Sequence, residues 1–252
     1  MAVYTAIDDP SAFFQAKTYT GNGSTQSITL DGLNDMQPDW VWVKQRGGTT
    51  NHKNSDSVRG ATKALQNNDT DAEATDSDGI TSFDSNGFSL GAGGDYNGSS
   101  NTQVAWCWKA GTAFSNDASA TSVGSIDSSG SISTAAGFSI ITYSGSDGTE
   151  TVAHGLSAVP DFIWFKRRNA SKNNTAYHSA LGNTYSAYPD NTSVASTNYD
   201  YFADTSPTSS VFTVKKDEDY DETNASGGTY VAWCFSAKQG YSKFQSYTGN
   251  GN

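Results

Sequence analysis

Apolar and polar residues alternate along this chain in short runs, and no stretch keeps a helical period for more than about two turns. Ser27-Ile28-Thr29-Leu30 reads as a strand with one buried face. Pro38 opens a different kind of strand, with Trp40 and Trp42 on one face and Val41 and Val43 on the other. Both faces then need cover, as in the interior of a sandwich. In Gln103–Lys109, Val104, Trp106 and Trp108 share a face, while Ala105 and Cys107 leave the other open to close approach by a second sheet. Asn86-Gly87, lying between Gly79–Phe83 and Gly87–Leu90, is a strong hairpin signal. Asp9 and Pro10 fit the N-cap and first position of a short helix. Phe13 and Phe14 would give that helix an apolar side, so Pro10, Phe13 and Phe14 form a candidate attachment element. Packing on the same chain and docking on a neighbouring subunit both remain open.

Two of these strands occur twice. Pro38-Asp39-Trp40-Val41-Trp42-Val43-Lys44 returns 122 residues on as Pro160-Asp161-Phe162-Ile163-Trp164-Phe165-Lys166. Val104-Ala105-Trp106-Cys107-Trp108 returns 127 residues on as Val231-Ala232-Trp233-Cys234-Phe235. Order and spacing both survive, which predicts two copies of one domain. The expected organisation is an attachment segment (1–16), a first repeat (17–110), a Ser/Ala/Gly-rich linker (111–136) and a second repeat (137–240). Residues 241–252 restart the pattern, since Tyr247-Thr248-Gly249-Asn250 matches Tyr19-Thr20-Gly21-Asn22; the chain therefore reads as part of a longer array. The expected fold is all-β: tandem antiparallel β-sandwiches, jelly-roll or lectin-like, preceded by a short N-terminal helix. Trp40, Trp42, Trp106, Trp108, Trp164 and Trp233 are the expected core. Within the linker, Ser125–Asp127 and Ser131–Ser133 could pair around Ser129-Gly130.

The copies differ where loops are expected. Gly47 to Gly79 is polar and weakly periodic, a pattern that signals a functional or unordered segment. Ser57-Val58-Arg59-Gly60-Ala61-Thr62-Lys63 within it reads as an ordered arm, and Leu181 stands where the second copy would have Arg59. Asn169 to Asp204 carries Tyr177, Tyr185, Tyr188, Tyr199 and Tyr201. Loops that diverge on a retained scaffold point to two different surfaces. These tyrosines are the candidate partner contact, against the alternative that their rings fold inward to cover the sheet.

Charge and composition narrow the classes. With 26 acidic and 15 basic residues in 252, the net charge is −11. No basic face is available to displace phosphate counterions, so nucleic acid is not an expected partner. The N-terminus lacks the features of a signal peptide, and no apolar run approaches a membrane span. Synthesis in a cytoplasm is expected. Cys107 and Cys234 occupy equivalent positions, which predicts two buried, reduced thiols. His52, His154 and His178 have no ligand-like spacing, and His154 is expected at an exposed turn. The acidic run Asp69–Asp78 fails the EF-hand template, and in the denser run Asp217–Glu222 adjacent residues on a strand would point apart; solvated loops are the expectation, with another kind of calcium site as the alternative. No pair among the acids is singled out as a hydrolase dyad. Neither a catalytic residue nor a cofactor is expected.

A family resemblance rests on Ile7–Gln15, Met36–Lys44, Ser57–Lys63, Ser82–Phe88, Val104–Ala110 and Ala136–Tyr143. In these stretches the chain resembles repeat domains of tail-fibre-like structural proteins of marine tailed bacteriophages. The resemblance implies a non-enzymatic component on the virion exterior, partnered by other virion proteins. Aromatic loops would suit host-surface glycan. The apolar side that Phe13 and Phe14 would give the N-terminal helix points to a homo-oligomer, and likeness to fibres implies a trimer. A capsid decoration or head-fibre protein is the alternative in the same particle, and a polysaccharide depolymerase the alternative of another class.

Overall fold

Two antiparallel sheets face each other across a layer of tryptophans, and each carries a smaller sheet on its outer side. The computed structural model describes residues 5–217 and 220–250. In the first large sheet the strand order is Phe14–Thr20, Thr102–Trp108, Trp40–Gln45, Lys53–Asp56, Lys63–Gln66, Ala74–Thr75. The second runs Thr112–Asn116, Ser128–Ser133, Phe138–Ser144, Thr229–Phe235, Phe162–Arg167, Thr175–His178, Gly182–Ala187. Five strands correspond in the same order: the first strand of each copy pairs with its last, and the Pro-Asp strand lies beside that last strand. Gln26–Thr29, Gly87–Leu90 and Ile80–Asp84 form the small sheet of the first copy; Thr149–Ala153 and Val211–Lys215 form that of the second. The fold is thus all-β and sandwich-like.

The repeated Pro-Asp has a repeated task. Asp39 accepts hydrogen bonds from the Ala110 amide (2.9 Å) and the Ser57 hydroxyl (2.6 Å). Asp161 does the same with the Ala237 amide (2.8 Å) and the Ser179 hydroxyl (3.3 Å). In each copy one carboxylate ties the start of the central strand to the exit of the last. The Asn86-Gly87 hairpin forms as its sequence predicts, with Gly87 at φ 133° and its α-carbon too close to the Ile28 carbonyl to accept a side chain.

Three expectations need correcting. The tryptophans are not the private core of each repeat. Val41, Val43, Ala105 and Cys107 face the small sheet of their own copy, together with Ile28, Met36 and Phe88. Trp40 instead joins Phe138, Ile140, Trp164, Val231 and Trp233 in a cluster shared between the copies, with Trp42 and Trp108 packed at its edge. Strands with two apolar faces are covered by one sheet of their own copy and one of the other. Trp40, Trp164 and Trp233 are buried, whereas Trp42, Trp106 and Trp108 are half-buried.

The stretch 111–136 is also not a plain linker. Thr112–Asn116 and Ser128–Ser133 pair with each other and extend the second large sheet from the edge strand Phe138–Ser144. Ser128–Ser133 is one continuous strand, so the turn lies at 117–127, where Asp117 caps the short helix Ala118–Thr121, and not at Ser129-Gly130. Small residues serve here because the backbones crowd: a β-carbon on Gly130 would sit 1.8 Å from the Ile140 carbonyl.

Finally, the N-terminal helix is a single 3-10 turn, Pro10–Ala12, capped by Asp9 through the Ser11 amide (2.9 Å). Phe14 already belongs to the first strand, and its ring meets Trp108 at 4.9 Å. Phe13 packs on the shared cluster. Both rings are half-buried against this chain and are not the free apolar side of a helix.

The polar stretch 47–79 does much of the fastening. Asn54, Ser55 and Asp56 are buried in the strand Lys53–Asp56, and Arg59 folds over them. Its guanidinium bonds Asp56 (2.6 Å), Asn54 (2.9 Å) and Glu73 (3.0 Å) and lies 5.5 Å over the Trp233 ring of the second copy. The Trp233 indole donates to Asp56 (3.2 Å), and Glu73 takes two bonds from Arg168 (both 2.9 Å). Two cations and two anions balance, which is what makes their burial tolerable. From the other side, Lys166 donates to the carbonyls of Thr70 (2.9 Å) and Lys172 (2.5 Å), and Asn174 donates to that of Asp69 (3.0 Å).

Candidate functional site

Three concavities offer themselves, and their linings separate them. The largest, about 700 Å³, is a polar cleft beside the 111–136 hairpin. Its carboxylates are already engaged: Asp117 accepts from the Ala120 amide (3.0 Å) and Asp127 from the Ala118 amide (2.9 Å). A second, about 310 Å³, opens at one end of the tryptophan layer between Trp40, Trp42, Trp164, Phe162, Phe235 and Phe244. It is a ring-lined gap without a carboxylate, amine or imidazole in its wall, so it offers no acid–base pair.

The third lies in the tyrosine-rich segment of the second copy and encloses about 410 Å³. Tyr188, Tyr199, Tyr201 and Tyr220 line it, alongside asparagine and serine side chains. Tyr199 is the hub of the rings, 4.1 Å from Tyr220, 5.6 Å from Tyr201 and 6.4 Å from Tyr188. The segment is anchored from beneath: Tyr201 and Phe202 are buried in the second copy's core, and the Lys215 amide bonds the Tyr201 carbonyl (2.8 Å). Lys215 also pairs with Asp200 (2.6 Å). Burial pushes the Tyr188 phenol up to about 12 and, with Glu222 beside it, raises that of Tyr201 further. Both rings are therefore neutral at physiological pH.

The five tyrosines singled out by sequence divide accordingly. Tyr177 is buried in the core and does not reach the pocket; Tyr185 is 39% exposed on the strand Gly182–Ala187. Tyr188, Tyr199 and Tyr201 come together in the pocket wall. The inward reading thus holds for Tyr177, Tyr188 and Tyr201, which are buried, while Tyr185 and Tyr199 keep part of their rings accessible. Sequence reasoning missed Tyr220 and Asn173, because their approach depends on the return of the chain after Val211–Lys215. It also missed the buried pair Asn97 and Asn224, 127 residues apart like the Trp-Cys strands. Their side chains accept from the amides of Asn22 (3.0 Å) and Ser146 (3.2 Å). That shared offset was a usable signal.

His154 is buried, against expectation. Its Nε2 bonds the Thr208 carbonyl (3.1 Å) and its Nδ1 accepts from the Leu156 amide (3.2 Å), which fixes the neutral tautomer. Burial lowers its pKa. Both cysteines are free and buried. Of the acidic runs, Glu73 is bound by Arg59 and Arg168, and Asp221 by Arg167 and Lys172; Glu218 and Asp219 lie outside the described residues. Among the described residues no three His, Cys, Asp or Glu side chains are grouped to hold a metal ion, and no helix is long and apolar enough to cross a membrane.

Residues 9–252 match the model of the domain of unknown function DUF7483. The chain belongs to that family. No curated protein and no solved structure matches it. Within this DUF7483 chain, the family match spans both copies and the hairpin between them.

Proposed function

We propose that this protein is a structural and adhesive component on the exterior of a tailed-bacteriophage particle, tail-fibre-like, whose second copy contacts glycan on the host surface. The reading takes each copy as a lectin-like sandwich and the whole as a non-enzymatic homo-oligomer joined to other virion proteins. The observation that carries it is the tyrosine pocket of the second copy, set on a scaffold that the shared tryptophan layer and the Arg59 network hold rigid. Rigid aromatic rings offer contact area at low entropic cost, and a fixed scaffold spares the ordering penalty of binding.

Two measurements test this. Mass spectrometry of purified particles should find the chain, and the isolated protein should compete with particles for adsorption to host cells. Absence from the particle, or no competition at saturating protein, would defeat the proposal. Release of new reducing ends from host polysaccharide would replace it with the depolymerase reading.

A further inference from the structure

We infer that the tyrosine pocket selects uncharged sugar residues and rejects anionic ones; this deepens the adhesive reading and rests on it for the assignment of the site. Of the four tyrosines, Tyr199 and Tyr220 keep accessible aromatic surface, whose π-faces carry the negative lobe of the ring quadrupole, while Tyr188 and Tyr201 are buried behind them. The accessible faces attract the weakly positive C–H face of a pyranose and repel carboxylate or sulfate. The remaining wall is neutral, of amides and hydroxyls such as Asn191 and Asn198. No lysine or arginine lines the pocket to give an acidic sugar the stronger, charge-assisted bonds.

The surroundings reinforce this sign. Lys215 is paired with Asp200, and Arg167 and Lys172 share Asp221, so these nearby cations are each held by a carboxylate and none of them lines the pocket. Behind the wall Glu222 is 2% exposed, and its Oε1 accepts from Asn173 (3.3 Å). Its carboxylate adds further negative potential with no compensating cation bonded to it.

Unfilled hydrogen-bonding capacity points to a hydroxyl-bearing ligand. The hydroxyls of Tyr188 and Tyr201, on side chains 9% and 1% exposed, and Oε2 of Glu222 lie close enough to act on one another, Tyr201 on both of the others, but complete no hydrogen bond of full geometry. Buried polar groups are normally paired. A ligand that brings both donors and acceptors on one small ring, as a sugar does, matches a wall of phenols, amides and hydroxyls. At about 410 Å³ the pocket lies within the usual size of small-ligand sites.

The test is a binding panel with the full chain: dextran and mannan as neutral glycans, alginate as a uronic-acid polymer and chitosan as an amine-bearing one. Retention of a neutral glycan at least tenfold above alginate is expected. Tyr220→Ala, which truncates a ring 40% exposed, should weaken it at least tenfold with an unchanged melting temperature. Asn198→Ala, on an exposed position, should weaken it less and serves as the check should Tyr220→Ala destabilise the loop. Preference for alginate or chitosan, no neutral glycan held above background, or undiminished binding by both variants would each overturn the inference. The two readings fail differently. Host-cell attachment that depends on Tyr220 without neutral-glycan binding refutes the ligand class alone; neutral-glycan binding without any attachment to cells refutes the adhesive role alone.

Discussion

Trp40 of the first copy stacks on Trp233 of the second with ring centroids 5.0 Å apart and planes inclined by 17°. Each indole also donates into the same polar strand, Trp40 to Asn54 (3.1 Å) and Trp233 to Asp56 (3.2 Å). The stack therefore couples a dry contact between sheets to a polar ladder that belongs to only one of them. The Trp233 indole has its acceptor in the other copy, and the two repeats should therefore behave as one folding unit.

Replacing Trp233 with Ala should cost about 3–5 kcal/mol, the usual penalty for emptying a core aromatic site. It removes the stack and leaves a buried Asp56 oxygen short of one donor. Trp106, half-buried and touching Trp42 at 5.3 Å, should cost clearly less. Denaturant unfolding followed by fluorescence checks both. The parent should unfold in one transition; two well-separated transitions would contradict the coupling.

Arg59→Ala should be as severe as losing the tryptophan, at about 3–5 kcal/mol, because Asp56 would remain buried without its ion pair. Leu181, which stands in the equivalent place of the second copy, is 38% exposed. Its replacement by Ala should stay within about 0.5 kcal/mol, as for ordinary surface positions. Melting temperatures of the two variants decide this. Equal effects would mean that the arm does not fasten the copies.

Acid should loosen the molecule in two steps. His154 has an ordinary pKa of 6.5 and is lowered in the fold, by burial against a weaker opposing bond to Thr208. The unfolded chain then binds the proton more readily, so stability is full above about pH 6.5 and falls as the pH drops below it. Burial raises the Glu73 carboxyl, but the guanidiniums of Arg168 and Arg59 outweigh that and leave it below its ordinary 4.5. Its contribution is present above about pH 4.5 and is lost as the pH falls further. Glu73→Gln should flatten the lower step and His154→Asn the upper one, read as melting temperature against pH.

How much of this was legible in the sequence depended on what each residue had to meet. The Asn86-Gly87 hairpin and the strands around Trp40 and Trp106 could be read directly, since local turn chemistry and alternation set them. Val41 and Trp42 announced two buried faces, but not that one of them belongs to the other copy. Such a partner is long-range, and periodicity carries no record of it. Lys53–Asp56 resembled loop because its buried positions are Asn54, Ser55 and Asp56; Asn54 and Asp56 are satisfied by Arg59, Asn67 and two indoles that sequence cannot place beside them. At the candidate site the tyrosines were visible as a cluster. Which of them faced inward was not, because Tyr185 and Tyr188 differ only in the side from which the chain presents them.

That difference gives the last prediction. Tyr188 is 9% exposed and packs in the second copy's core, whereas Tyr185, three residues earlier, is 39% exposed and outside the core cluster. Tyr188→Ala removes buried ring area and should lower the melting temperature by several degrees, consistent with the 2–4 °C per kcal/mol typical of a chain of roughly this size. Tyr185→Ala should leave the melting temperature unchanged. If the exposed face beside the pocket contributes to adhesion, Tyr185→Ala should nonetheless reduce binding of the chain to host cells, because an exposed ring contributes contact area without supporting the fold. Loss of stability in the Tyr185 variant would place that ring in the core. Normal binding and normal melting together would remove it from the contact surface, leaving Tyr199 and Tyr220 as the rings that meet the glycan.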